Sequence, residues 1–266
     1  MEAGPRIVCL VPSITELLCE LGLAGQLVGR TGFCVHPWET VRRIPKVGGT
    51  KDVRLDRIRE LAPTHVVVNV DENRREDAEA LAEFVPEVIV THPRAPRDNL
   101  ALYRQMGSAF AREREAELLC ERFERAYEAA SAVPRAPCEV LYLIWRDPWM
   151  TVSQDTYVSR TLALFDWHTL PAPAPPARHD LLRPEGEKGY EERYPEVDLG
   201  EFAGRVERVL LSSEPFHFKR RHLGEVEALL PGATVSLIDG EMTSWYGSRA
   251  IAGLEYLTRY TAEPPG

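Results

Sequence analysis

Large aromatic side chains recur in this sequence where predicted strands end. They are Phe33, Trp38, Trp145, Trp149, Phe216, Phe218, Trp245 and Tyr246. Four of the five tryptophans belong to this set. Flat apolar rings with an occasional polar group suit a broad, partly apolar ligand, although single members of such a set can also fill the cores of loops. As a group they predict a ligand site, and Trp145, Trp149, Phe216, Trp245 and Tyr246 are its candidates in the second half of the chain.

Two histidines stand among these aromatic residues. His36 lies in the loop that carries Phe33 and Trp38, and His217 lies between Phe216 and Phe218. Neutral imidazole is a common ligand for transition metals, so either histidine could cap a metal centre at an open coordination position. The alternative is an ordinary hydrogen-bonded loop histidine. We predict His36 and His217 as candidate metal ligands.

Polar residues at the same strand ends complete the predicted site. Thr50 and Lys51 follow a Gly-Gly pair and could contact ligand amides or carboxylates, although Lys51 could also simply begin a solvated helix. Asn69 and Glu72 follow an apolar run that is typical of a buried parallel strand. The mixed charges after Glu72 are more typical of a solvated helix end.

No signature of catalysis accompanies these residues. The sequence has no GxGxxG, GxxxxGK[ST], HExxH, GxSxG or CxxC motif. Ser13, His36 and Asp71 can be written as a triad, but their separation along the chain does not place them together. We therefore predict no catalytic residue and no enzyme, with an enzyme on the same scaffold as an alternative.

The elements that must position these residues alternate between strand and helix. Strands are predicted over residues 6–11, 26–29, 65–70 and 87–91, and again over 139–145, 208–211 and 234–238. A capping box at Ser13–Glu16 is predicted to start the first helix. This alternation predicts an α/β fold with parallel sheets, in which ligands bind at the carboxyl ends of the strands.

A different pattern begins at Asp98. Apolar residues keep three- and four-residue steps as far as Ala130, which predicts one helix of roughly 33 residues. Such a helix suits a connector between two lobes, so we predict an amino-terminal lobe over 1–97, an interlobe helix over 98–133 and a carboxyl-terminal lobe over 134–266. A Pro/Ala segment at 171–176 and a charged loop at 179–194 interrupt the second lobe.

Composition limits the partners and the location. The 266 residues carry a net charge of −9, which argues against a nucleic-acid or anionic-membrane partner because both demand a basic face. The amino terminus lacks a recognisable secretion signal, and five cysteines without a CxxC motif suit reduced thiols. These features predict a cytoplasmic protein, with a periplasmic location as the alternative if a signal peptide has been removed.

Four segments resemble one protein family. They are RIVCLVPSITEL at 6–17, LVGR at 27–30, IPKVGGT at 44–50 and LDRIRELAPTHVV at 55–67. They resemble the amino lobe of class III solute-binding proteins, the helical-backbone metal receptors of ABC importers for cobalamin, haem and ferric siderophores. The vitamin B12-binding branch is the most similar, with His36-Pro37 where that branch often has an aromatic-Pro pair.

The resemblance implies two Rossmann-like lobes joined by one long backbone α-helix, with the ligand in the cleft between them. The hypothesis is a non-enzymatic, monomeric binding protein for a cobalamin-like corrinoid or another metal chelate. A ferric siderophore, haem or a bare metal ion is the alternative ligand. An ABC permease is the implied partner, but the expected docking acids fall near Arg75-Glu76 and Ser244, so we expect little affinity for an importer.

Overall fold

The computed structural model describes residues 4–171 and 193–262. The chain divides into two compact units, each containing its own β-sheet. Unit 1 comprises the described residues of Met1–Pro93, Arg97–Glu124 and Tyr246–Ile251, and unit 2 those of Arg94–Pro96, Arg125–Trp245 and Ala252–Gly266. The α/β fold class is confirmed, whereas the proposed boundaries at 97/98 and 133/134 stay a prediction.

Unit 1 is built on a four-stranded sheet in the order β2-β1-β3-β4, and all its pairings are parallel. Its elements are β1 (Ile7–Cys9), α1 (Pro12–Glu20), β2 (Leu27–Arg30), α2 (Trp38–Val41), α3 (Leu55–Glu60), β3 (His65–Asn69), α4 (Arg75–Ala82) and β4 (Glu87–Thr91). Val8, Val66 and Val68 pack with Ile58 and Leu81 in one buried cluster. The strands are apolar along most of their length because a parallel sheet is usually covered on both faces.

The segment from Asp98 onward differs from its prediction. It forms two helices, α5 (Asp98–Ala109) and α6 (Glu113–Ser131), so the single helix of roughly 33 residues is wrong. Ala111 between them has a φ of +53°, which no continuous α-helix accommodates. The boundary between the two units falls within α6, which is about 28 Å long.

Unit 2 contains a five-stranded sheet. Strand β5 pairs in parallel with β7 and β8 and antiparallel with β6, while β9 lies beyond β8. Its elements are β5 (Cys138–Trp145), β6 (Met150–Thr151), α7 (Tyr157–Ala163), β7 (Trp167–Thr169), β8 (Arg208–Ser212), α8 (Leu223–Leu229), β9 (Thr234–Ile238), α9 (Gly240–Ser244) and most of α10 (Arg249–Tyr260), whose first three residues belong to unit 1. Leu141, Leu143, Val209 and Leu211 form the centre of its core.

The first helix starts differently from its prediction. Helix α1 begins at Pro12 after Val11, and no side chain caps it, so the predicted capping box at Ser13–Glu16 does not form. Most of the predicted Pro/Ala segment and charged loop, residues 172–192, lies outside the described residues. In the part of the chain that the structure describes, no helix is both long and apolar enough to cross a bilayer.

Candidate functional site

The loop after β2 brings together three of the predicted site residues. Phe33 and Trp38 expose 62% and 54% of their surface, which is unusual for large aromatic side chains. His36 is half-buried between them in the sequence. Because β1, β2 and β3 are parallel, this loop leaves the same edge of the sheet as the segments after β1 and β3.

A buried guanidinium holds the two ends of this loop. Arg30, the last residue of β2, is 1% exposed, and it donates from Nε to the Val41 carbonyl (2.6 Å) and from Nη1 to the Thr31 carbonyl (2.9 Å). In the middle of the loop, Cys34 Sγ lies 3.1 Å from the hydroxyls of both Thr15 and Thr31. The loop backbone is therefore fixed from within, while its aromatic side chains stay exposed.

A glycine turn lies against the start of this loop. The Gly32 N–H donates to the Gly48 carbonyl (2.8 Å). Gly48 has a φ of +112°, and an added Cβ would lie 2.2 Å from the Asp52 carbonyl oxygen, so only glycine fits. This turn presents Thr50 as a half-buried residue and Lys51 as an exposed one.

The segment after β3 uses one predicted site residue for its own structure. Asn69 is 2% exposed, and its amide donates to the Thr91 carbonyl (3.0 Å). Its Oδ1 accepts from the N–H groups of Asp71 (2.8 Å) and Glu72 (3.3 Å). With both ends of its side chain occupied, Asn69 positions Glu72 and does not fit a direct ligand contact.

Glu72 and Tyr246 form a pair within unit 1. The Tyr246 hydroxyl donates to Glu72 Oε1, and the tyrosine ring is 7% exposed. Burial, together with the charge of Glu72, raises the pKa of Tyr246 well above its ordinary value. The phenol therefore stays protonated, and its role here is to hold Glu72.

Three of the four candidate aromatic residues of unit 2, Trp145, Trp149 and Phe216, meet in one cluster with Phe218. Trp145 and Phe216 pack edge to face with centroids 5.7 Å apart, and Phe216 lies 4.7 Å from Phe218. Trp149 stacks on Phe218 at 6.2 Å. Trp149 and Phe216 also pack against the core, whereas Trp145 keeps 40% of its surface exposed. Trp145 is thus the most accessible ring of this cluster.

A carboxylate that the sequence reasoning missed lies beside Trp245. Glu214 Oε1 accepts from Trp245 Nε1 (2.6 Å) and from Ser244 Oγ (3.0 Å). Burial raises the pKa of the Glu214 carboxyl above its ordinary value. Glu214 lies in the segment after β8 that also contains the predicted residues Phe216 and His217. The prediction considered the aromatic residues and the histidine of this segment but not its carboxylate.

Unit 2 also contains a pocket of about 400 Å³ at the carboxyl ends of β8 and β9. Its lining residues are Leu211, Ser213, His217, Phe218, Lys219, Leu237, Ile238 and Asp239. His217 is the one predicted site residue among them. Its Nδ1 lies 3.2 Å from the Ser213 carbonyl oxygen, which can only accept, so in the neutral imidazole Nδ1 carries the proton and Nε2 is an acceptor.

Metal coordination is not assembled by the described residues of either unit. Among the described residues, no group of three or more His, Cys, Asp or Glu side chains is placed to hold an ion. His36 belongs to unit 1 and His217 to unit 2, so their role as metal ligands stays a prediction.

All five cysteines are free thiols. Cys9 and Cys34 are buried, and burial raises the pKa of both above the ordinary value. Burial likewise raises the pKa of Cys19 to about 11. These thiols are protonated at neutral pH and behave as small hydrophobic side chains.

The sequence of residues 7–162 matches the family described as "Periplasmic binding protein". The chain belongs to this family. The match covers unit 1 strands, both helices α5 and α6, and the first part of unit 2. Among curated proteins, no sequence matches this chain.

Solved structures share the fold over almost the whole chain. The apo periplasmic heme-binding protein RhuT from Roseiflexus sp. RS-1 has a TM-score of 0.76 at 20% identity, covering 97% of this chain and 98% of that one. The periplasmic vitamin B12-binding protein BtuF of Vibrio cholerae has a TM-score of 0.77 at 14% identity, with coverages of 97% and 96%. IsdE of S. aureus, solved with heme, has a TM-score of 0.74 at 13% identity, with coverages of 98% and 100%. At these identities the likeness concerns the fold.

The family corrects one prediction. The cytoplasmic location is wrong, because the matching family is one of periplasmic binding proteins, and RhuT and BtuF are themselves described as periplasmic. The periplasmic alternative fits these findings. The free thiols that favoured the cytoplasm do not contradict this location, because four of the five are buried.

Proposed function

We propose that this protein binds a large metal chelate and releases it unchanged, as a receptor for transport. A cobalamin-like corrinoid is the first candidate, with haem or a ferric siderophore as the alternative. One observation carries the proposal: each unit exposes large aromatic side chains where its parallel strands end, namely Phe33 and Trp38 in unit 1 and Trp145 in unit 2. The names of BtuF, RhuT and IsdE support this class of ligand.

The aromatic loop of unit 1 suits such a ligand physically. Corrin and porphyrin rings offer a broad face, and an aromatic side chain covers that face while losing little conformational entropy. Because Arg30 and Cys34 already hold the loop backbone, little further ordering is needed on binding. Glu72, Thr50 and Lys51 are polar groups at the same edge that could orient the ligand.

The test is a spectroscopic titration of the purified protein with cobalamin, with haem and with a ferric siderophore. We expect one of them to bind with a micromolar or tighter Kd, and about tenfold weaker binding for each of the variants Phe33→Ala and Trp38→Ala. Leu118→Ala, which removes an exposed apolar side chain from α6, is the matched control and should bind as the parent does.

Two results would overturn the proposal. One is the absence of binding tighter than about millimolar for all three chelates. The other is binding that survives both aromatic substitutions unchanged. Elemental analysis of the protein as purified separates a chelate receptor from a direct metal-ion binder, since an ion without its chelate would point to the latter.

An ABC permease is the proposed partner, as the resemblance implies. The expectation of little importer affinity came from the docking acids, which fall near Arg75-Glu76 and Ser244, whereas membership of the periplasmic binding protein family favours the partnership. Co-purification of the chelate-loaded protein with its permease would test the partnership directly.

A further inference from the structure

The pocket of unit 2 combines an apolar wall with a small set of polar groups. Its apolar residues are Leu211, Phe218, Leu237 and Ile238. Its polar residues are Ser213, His217, Lys219 and Asp239. A pocket of this composition binds an apolar stem that ends in a hydrogen-bonding group.

The polar groups offer both donors and acceptors. The Ser213 hydroxyl oxygen accepts from the Gly240 N–H (2.8 Å), which leaves its own proton to donate. His217 offers Nε2 as an acceptor because Nδ1 faces the Ser213 carbonyl. Asp239 Oδ1 accepts from the Met242 N–H (3.2 Å), and the second carboxylate oxygen is a further acceptor.

The charges of the pocket wall cancel. Lys219 contributes one positive charge and Asp239 one negative charge. Beyond the wall, Arg220 and Arg221 follow Lys219 in the sequence, while the charges of Asp239 and Glu241 both act on Glu214 and help raise its pKa. A guest with a net negative charge would gain Lys219 as a partner but would share a small pocket with Asp239.

We propose that this pocket binds a neutral primary amide arm of the chelate, whose C=O accepts from Lys219 and whose N–H donates to Asp239. A primary amide satisfies both groups without adding a charge, whereas a carboxylate satisfies only the lysine. The pocket thus selects chelates with amide side arms, as corrinoids have, over chelates with carboxylate arms. This inference rests on the proposed function.

The experiment compares matched ligand pairs that differ only at the arm. One pair is cobalamin and its derivative with a peripheral amide hydrolysed to the carboxylate. The other is iron protoporphyrin with its two propionates either free or converted to primary amides. For whichever macrocycle binds, we expect the amide form to bind at least about tenfold more tightly than the carboxylate form.

Charge variants of the pocket should shift this preference in opposite directions. Asp239→Asn leaves Lys219 unbalanced, so binding of the carboxylate form should tighten by about tenfold; Lys219→Gln should weaken it by about tenfold. Asp198→Asn is the matched control for the first, because Asp198 also accepts a backbone N–H at a helix start in unit 2. Lys46→Gln, an exposed lysine of unit 1, is the control for the second. Melting curves confirm that each variant is folded.

The outcomes separate the two proposals. If a chelate binds but its amide and carboxylate forms bind equally, or the carboxylate form binds more tightly, the inference about the pocket is overturned and the proposed function stands. If the two pocket variants shift binding in the same direction, the charge argument also fails. If no form of either macrocycle binds, the inference about the pocket is overturned. The proposed function is overturned as well only if the ferric siderophore also fails to bind.

Discussion

Trp245 and Tyr246 are consecutive residues that hold two different carboxylates. Trp245 Nε1 donates to Glu214 within unit 2, and the Tyr246 hydroxyl donates to Glu72 within unit 1. Each carboxylate lies just after a parallel strand, where a ligand would be bound. The two aromatic residues therefore act first as hydrogen-bond donors that fix acidic groups.

Glu214 gives a pH-dependent prediction. Because its pKa is raised in the folded protein, the folded state binds this proton more tightly than the unfolded chain, in which the pKa is about 4.3. This contribution to stability is greatest below the unfolded pKa and is lost as the pH rises through the folded pKa. Glu214→Gln keeps an oxygen to accept from Trp245 and Ser244 but has no proton to lose. We expect the variant to lose less stability than the parent as the pH rises above the unfolded pKa, as measured by urea unfolding at a series of pH values.

The control for this prediction is Glu207→Gln, which removes an exposed carboxyl from unit 2. It should follow the parent protein across the same pH range. A Glu214→Gln variant with the parent's pH dependence would show that the carboxyl is not desolvated in the folded state.

Single site residues could be predicted from the sequence where the residue type and its position at a strand end stand out. Phe33, Trp38 and Trp145 were found because large rings at strand ends are conspicuous, and all three are exposed. Asn69 and Tyr246 were assigned to the ligand, but their polar groups bond within the protein. The Tyr246–Glu72 bond joins residues 174 positions apart, and no local pattern in a sequence reports such a pair.

At the scale of elements, the α5–α6 junction shows how periodicity misleads. The apolar pattern continues across the junction because Met106 and Ala116 are both buried, on either side of it. The helix breaks because Ala111 has a positive φ. The residue type gives no warning of this, since alanine normally favours helix. Gly107, near the end of α5, allows the two helices to approach closely, since a Cβ there would lie 2.6 Å from Ala116 Cβ.

Two substitutions at this junction should change the stability of the protein in opposite directions. Gly107→Ala should destabilise the protein by about 1–3 kcal/mol, because the new methyl group overlaps Ala116 and the Arg112 carbonyl. Ala111→Gly should be neutral or stabilising by up to about 1 kcal/mol, because glycine adopts a positive φ without strain. Urea unfolding measures both changes.

Ala129→Gly is the matched control, since Ala129 is exposed within the regular part of α6. There the same substitution should cost about 1 kcal/mol, the usual helix penalty of glycine. If Ala111→Gly and Ala129→Gly destabilise the protein equally, the positive φ at Ala111 is not a source of strain.

At the scale of the whole molecule, the α/β class was predictable because it follows from alternating periodicities that any window of the sequence reveals. The location was not predictable, because it depended partly on the free thiols, and four of the five are buried cysteines of a kind that either compartment allows. The sequence also did not show which segments form each unit, since Tyr246–Ile251 belongs to unit 1 although it lies between two segments of unit 2.

Hydrogen bonds and an ion pair hold the segment Tyr246–Ile251 in unit 1. The Gly247 N–H donates to Asn99 Oδ1 (2.7 Å), and its carbonyl accepts from the Tyr103 hydroxyl (2.9 Å). Arg249 forms a bidentate ion pair with Glu16 of α1, with both N–O distances 2.8 Å. The stability of unit 1 therefore depends on residues from the far end of the chain.

Removing the Arg249–Glu16 ion pair should show how far the stability of unit 1 depends on this segment. The Arg249 and Glu16 side chains are only 12% and 23% exposed, so Arg249→Met leaves a partly buried carboxylate without its partner and should cost about 1–3 kcal/mol. The loss should be local, because the unpaired carboxylate lies on α1. Hydrogen exchange is expected to accelerate in α1 but not in α8 of unit 2. Arg259→Met, an exposed position on the same helix α10, should leave both unchanged. Equal acceleration in α1 and α8 would mean instead that the two units unfold as one, and unchanged exchange in α1 would mean that the ion pair contributes nothing to holding the segment in place.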